Sequence, residues 1–225
     1  MINKIKELPK NNLPLAETIK MNNMAAAYPQ DIHLFACTDT NAYISLLGGD
    51  MIISGKINAQ EVKEFLSFLR PSSVFSNEEN LTALFGENAF EKVNVVMRKN
   101  CFLGKSNMFS YDFSSKEAYE LLKTGGFSLP QYEYFATDYC LRKNRGLIRV
   151  FGKKDTCIAI TVEDERYRLL SGIVSKQKGQ GGSLLLAAIS GEKSVLAVCR
   201  DELLSFYKKY GFEPLYKAGY WRKHN

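Results

Sequence analysis

The sequence predicts an α/β chain of the α+β kind: a mixed, mostly antiparallel sheet flanked by helices, in two tandem halves. Three observations predict it. Runs of β-branched and apolar residues are cut at short intervals by polar turns, the pattern of meanders. Segments with apolar residues at helical spacing alternate with single strand-like runs. The order helix, meander, helix, strand, helix, strand occurs in residues 1–110 and again in 111–225, although the halves share no obvious residues.

In the first half, LPLAETIKMNNMAAAY reads as a helix closed by Pro29. HLFACT, AYISLL and MIIS are short β-rich runs separated by the turn residues DTN and GGD. NAQEVKEFLSFLR is a helix on two grounds. Asn58 and Glu61 make a capping pair, and Val62, Phe65, Leu66 and Leu69 share one face before Pro71 stops it. SVFS, a short helix around EENLTALFG and the strand KVNVVMR complete this half. Residues 100–112 (NCFLGKSNMFSYD) read as the junction.

In the second half, Ser114 and Glu117 form a capping pattern ahead of AYELLK, and Gly125 falls where that helix ends. Pro130 starts a second helix that runs to Lys143. LIRVF, TCIAITV and YRLLSGIV follow, joined by the short polar links GKKD and EDER, and so form a meander. A glycine-rich turn then leads into a helix over 182–190, the strand SVLAVC and the helix DELLSFYKKY, which Gly211 ends. FEPLYKAGYWRK reads as a closing hairpin.

Composition narrows the function. Of 225 residues, 45% are hydrophobic and 24% charged, as in a globular protein, and no stretch approaches the ~20 apolar residues of a membrane span. The opening MINKIKELPKNN has no apolar secretory core. Cys37, Cys101, Cys140, Cys157 and Cys199 are scattered, odd in number and never C-x-x-C. Both features point to a cytoplasmic chain with reduced thiols and no membrane partner. His33 and His224 are the only imidazoles, with no second ligand at metal spacing, so no metal is expected and histidine-based nucleophilic catalysis is disfavoured. Residues 1–110 hold 11 Lys/Arg and 11 Asp/Glu, so the whole excess of +6 lies in 111–225. Dispersed lysines suit a small anionic ligand, or simply a solvated surface, better than a nucleic acid.

The most unusual stretch is SKQKGQGGSLLLAAI, Ser175 to Ile189. It lacks the G-x-x-x-x-G-K-[ST] of a P-loop. It also fails the dinucleotide fingerprint, because Leu184 stands at the third glycine position and the preceding strand belongs to a meander. Glycines let backbone approach a ligand and adopt positive φ. Amides at the helix start, with Lys176 and Lys178 beside them, would form an anion site. Taken alone, the stretch reads equally as a structural turn.

One helix and one strand later comes FYKKYGF, Phe206 to Phe212. Together the two motifs resemble the GNAT superfamily of N-acetyltransferases. Its members carry R/Q-x-x-G-x-G/A after the fourth strand and F/L-Y-x-x-x-G-F further on. Lys176-Gln177-Lys178-Gly179-Gln180-Gly181 is similar to the first, with Lys in the basic slot. The resemblance covers residues 111–225, and residues 1–110 resemble the degenerate amino-terminal half of tandem members. The approach from Val174 to Lys176 is shorter than usual, and Arg200 replaces a frequent asparagine.

The resemblance implies acetyl-CoA as co-substrate, without a metal. The pyrophosphate would lie on Lys176, Gln177, Lys178, Gly179, Gln180, Gly181, Gly182 and Ser183, and the pantetheine along 169–175 on amides near Ile173 and Val174. It also implies that Tyr207 is the general acid, a phenol near ~10 reprotonating a thiolate whose thiol lies near ~8.5. From periodicity alone Tyr207 is a core residue, sharing a face with Leu203, Phe206 and Tyr210. No base stands out: Glu163, Asp164 and Glu165 fall in a predicted turn, which leaves Glu133, Asp138 or a water relay. Tyr132, Phe135 and Tyr139 recur at helical spacing as packing residues, while the resemblance places them, with Tyr134, at the acceptor site. The implied reaction is acetyl transfer to a primary amine, on a small molecule or a protein. The rival is a non-catalytic coenzyme A-binding regulatory module. Neither acceptor identity nor oligomeric state has a readable motif.

Overall fold

The computed structural model describes residues 1–9, 15–98 and 109–223. The start of the first predicted helix, most of the predicted junction, Cys101 and His224 lie outside the described residues. In chain order the elements are β1 (Ile2–Ile5), α1 (Ala16–Ala27), β2 (His33–Cys37), β3 (Ala42–Leu47), β4 (Asp50–Ser54), α2 (Ala59–Leu69), β5 (Ser73–Asn77), α3 (Glu78–Phe85) and β6 (Glu91–Arg98). Then come α4 (Ser115–Thr124), α5 (Tyr132–Asn144), β7 (Ile148–Lys153), β8 (Cys157–Glu163), β9 (Tyr167–Ser175), α6 (Gln180–Ala188), β10 (Ser194–Cys199), a 3-10 turn at Asp201–Leu203, α7 (Leu204–Lys209) and β11 (Glu213–Arg222). They form two compact units: Met1–Val96 with Val198–Leu204 and Pro214–Asn225, and Met97–Ala197 with Ser205–Glu213.

In the first unit, β1 to β4 are antiparallel neighbours, β4 and β5 are parallel, and β11 pairs antiparallel with β5 and lies between β5 and β6. Ile44, Met51, Ile53, Val62, Val74 and Leu81 form its fully buried centre. The only tryptophan, Trp221, stacks on Phe85 at 4.3 Å. The Asn58 side chain accepts from the Gln60 and Glu61 amides, and Arg70 turns left-handed at φ 46° before Pro71. The closing segment is one strand, not a hairpin. Gly219 meets Phe90 and Leu81 where a β-carbon would be, so it marks close packing inside a strand rather than a turn.

In the second unit, β7, β8 and β9 form the expected antiparallel meander, and β10 joins β9 in parallel. Successive strand residues face opposite sides of a sheet. Every residue from Cys157 to Val162 is buried, so both faces are covered. The capping box at Ser114 and Glu117 is complete. The bonds that Ser114 and Tyr111 give the Glu117 carboxylate hold its pKa at about 2. Arg168, 4% exposed, donates to Glu163 Oε1 at 2.7 Å and to the Ala188 and Ser190 carbonyls at 2.9 and 2.8 Å. It thereby satisfies acceptors left open at the C-terminal end of α6.

Candidate functional site

The site is built on β9. Its parallel register with β10 runs only from Tyr167 to Leu170. Against β8 the register slips at the same height: Ile160 faces Gly172 while Thr161 faces Leu170, leaving Ser171 as the extra residue of a bulge. Ser171 is exposed between buried Leu170 and Gly172. Beyond the bulge, Lys176 N–H donates to Thr156 O at 2.9 Å. Antiparallel ladders alternate, so the backbones of Gly172 and Val174 face β8, whereas Ile173 and Ser175 face the side where β10 has parted. The Val174 side chain packs on Gly125. The bulge carries no sequence signal of its own; Ser-Gly inside an apolar strand is its only trace.

The turn leaves β9 through Ser175, whose hydroxyl donates to Gln177 O at 2.9 Å. Lys176, Gln177, Lys178, Gly179 and Ser183 are exposed, Gln180 and Gly181 half-buried, and Gly182 buried. Gly179 caps α6 in the left-handed region at φ 88°. This conformation favours glycine and starts the helix at Gln180, two residues earlier than its sequence suggested. A β-carbon at Gly179 would meet open space, and one at Gly181 only the Phe206 ring at 3.9 Å. The Gln180 amide donates to the Gln177 side chain, while its Oε1 is buried without a partner. First-turn amides of any helix lack intrahelical acceptors. The Gln180 N–H turns back to Gln177 O at 3.3 Å, while the open space at Gly179 and Gly181, a helix start and two exposed lysines fit the phosphates of a coenzyme A.

The second motif has a backbone explanation. Gly211 is left-handed at φ 77°, Phe212 N–H bonds to Tyr207 O at 3.2 Å and Gly211 N–H to Lys208 O at 3.0 Å. That is a Schellman cap, with Phe212 packed back on Tyr207, the two rings edge-on at 5.3 Å. Tyr207 is 3% exposed and also meets Phe206 at 5.4 Å. Phe206 and Tyr210 turn instead toward the start of α6. The Tyr210 hydroxyl lies where a side chain at Gly182 would have to go.

The carboxylates are largely committed. Glu163 closes β8 and accepts from Arg168, from Thr161 at 3.0 Å and from Lys193 at 3.4 Å. Asp138 pairs with Arg142 at 2.7 Å on α5, and Glu133 is exposed. Tyr119, Tyr132, Phe135 and Tyr139 form a chain of ring contacts at 5.3–5.7 Å, in which Phe135 and Tyr139 are covered, while Tyr132 and Tyr134 are 36% and 71% exposed. Arg200 bonds Glu91 at 3.2 Å.

No protein-family model and no curated protein matches the chain. Solved structures do. A GCN5-related N-acetyltransferase from Sphaerobacter thermophilus aligns over 96% of each chain at 12% identity and a TM-score of 0.54. A tandem GNAT protein from the clavulanic acid biosynthesis pathway aligns over 96% of this chain and 89% of its own, at 11% identity and 0.55. A functionally unknown conserved protein from Staphylococcus epidermidis aligns over 80% and 89%, at 10% and 0.52. The chain has the GNAT fold.

Proposed function

We propose that the second unit is an acyl-CoA-dependent N-acyltransferase that moves acetyl from acetyl-CoA to a primary amine. The observation supporting this is the conjunction of a bulged strand parting from its neighbour with a left-handed glycine turn at the helix that follows. Bound acetyl-CoA would supply an acetyl thioester, whose C–S bond breaks as the C–N bond to the amine forms. The amides of Gly181 and Gly182, with Gln177, Gln180, Ser183 and the Lys176 and Lys178 ammonium groups, would hold the pyrophosphate at the positive end of α6. The Ile173 amide, on the open side of β9, would position the pantetheine arm and Val174 would pack behind it. An amide at the bulge would polarise the reacting carbonyl. Tyr207 would give its proton to the departing sulfur, and the proton shed by the amine nitrogen would pass to water.

A second reading has its own support. Tyr207 is packed among rings, and Glu163 and Asp138 are held by cations, so a module that binds coenzyme A without turnover is the alternative. We read residues 1–110 as an ancillary, degenerate GNAT-like half and 111–225 as the active one. In the first unit the end of β4 is closed by its own side chains: Ser76 donates to Ile53 O, and Asn80 to Gly55 O, both at 2.8 Å. Thiol release from acetyl-CoA over a panel of amines, wild type against Tyr207→Phe, separates the readings. An enzyme using Tyr207 loses about 10²–10⁴ in kcat with little change in KM. Turnover unchanged in the variant removes Tyr207 from the role, and no turnover with binding intact favours the module.

A further inference from the structure

The turn that ends α4 sets an aromatic ring beside the bulge of β9. Gly125 leaves no room for a β-carbon because Val174 packs there, and Gly126 reverses the chain at φ 77°. Phe127 N–H then bonds back to Leu122 O at 3.4 Å. Phe127 and Leu122 both end up over Gly172, where a β-carbon would lie 3.5 Å from Phe127 Cζ and 3.3 Å from Leu122 Cδ2. Phe127 keeps 37% exposure, and the adjacent strand residue, Ser171, is exposed too. The link Gly125–Gln131 carries no ionisable side chain. Tyr132, the first residue of α5 beyond this link, is 36% exposed.

We propose that Phe127 determines acceptor specificity, and that the acceptor amine carries an aryl or bulky apolar group that packs on its ring. The inference rests on the transferase reading of the second unit. If acyl transfer takes place at the bulge, an attacking amine passes beside the ring that covers Gly172. A ring rewards an aromatic or apolar partner by about two- to tenfold per contact. The link itself offers no carboxylate to draw in the second ammonium group of a diamine.

The test is steady-state thiol release by the full chain with phenethylamine and with putrescine, for wild type, Phe127→Ala and Phe127→Leu. Wild type is expected to favour phenethylamine by about tenfold in kcat/KM. Phe127→Ala should lose that preference through KM, with kcat and the thermal shift given by acetyl-CoA unchanged, and Phe127→Leu should recover part of it. Equal use of the two amines, a preference that survives Phe127→Ala, or acetyl-CoA binding without acetylation of either amine overturns the proposal. Absence of any acetyl-CoA thermal shift has a different meaning, since it removes the transferase reading and this one with it.

Discussion

Gly179 and Gly182 sit three residues apart but are glycines for different reasons. Gly179 has open space where a β-carbon would go and a φ of 88°, so its constraint is backbone conformation. Gly182 is constrained by the Tyr210 hydroxyl. Gly179→Val is expected to cost about 1–2 kcal/mol of strain, lowering Tm by a few degrees, while weakening acetyl-CoA binding about tenfold. Gly182→Ala should lower both together through misplacement of α6 and α7. Calorimetric titration beside thermal denaturation checks both, and a Gly179→Val chain that binds normally would place the phosphates elsewhere. The glycine motif was legible because φ and close approach leave a composition trace. The position of Phe127 was not, since it depends on which strand the TGGF turn meets.

Glu17 carries another residue-scale prediction. It is 2% exposed, accepts from the Tyr216 hydroxyl, and its Oε1 is buried without a partner. Desolvation raises its pKa, against the opposing bond from Tyr216 and the charge of Lys20. A folded-state pKa above the unfolded value means the unfolded chain ionises first. The stability Glu17 supplies below the ordinary carboxylate range is therefore lost as pH rises through the raised pKa. Glu17→Gln should flatten that fall in urea denaturation measured across the range, and an unchanged slope would assign it to another group.

At the scale of elements, α6 is fastened at both ends: Gly179 caps its start, and Arg168 holds the carbonyls at its end while neutralising Glu163. Arg168→Met leaves Glu163 with Lys193 as its cation and frees those carbonyls. A loss of about 3 kcal/mol in urea denaturation is expected, and a loss below about 1 kcal/mol would show the network to be dispensable. Elements with local punctuation were the legible ones. Asn58, Ser114 and Gly211 each announce a helix boundary that the backbone then uses. The strand β1 had no such mark, because INKI shows no apolar–polar alternation and gains its place by pairing with β2. The closing segment differs for a related reason: FEPLYKAGYWRK reads as a hairpin, but it is one strand in which Gly219 is small to admit Phe90 and Leu81.

At the scale of the whole molecule, the chain forms two compact units that are not contiguous in sequence, since β11 and the turn after β10 belong with the first. The glycine turn and FYKKYGF, one helix and one strand apart, predicted the GNAT fold, while the destination of the last strand could not be read from them, because strand pairing is decided by register and burial. Among the described residues no helix is long and apolar enough to cross a membrane. The excess charge of +6 falls in the half that holds the glycine turn, where Lys176 and Lys178 are exposed. Their attraction for a polyphosphate should weaken as salt rises. The most direct test is the thermal midpoint of the full chain titrated with acetyl-CoA. The midpoint should rise with the logarithm of concentration once Kd is passed, by an amount equivalent to about 2.7 kcal/mol near a hundredfold excess. An unmoved midpoint at millimolar acetyl-CoA would contradict the account.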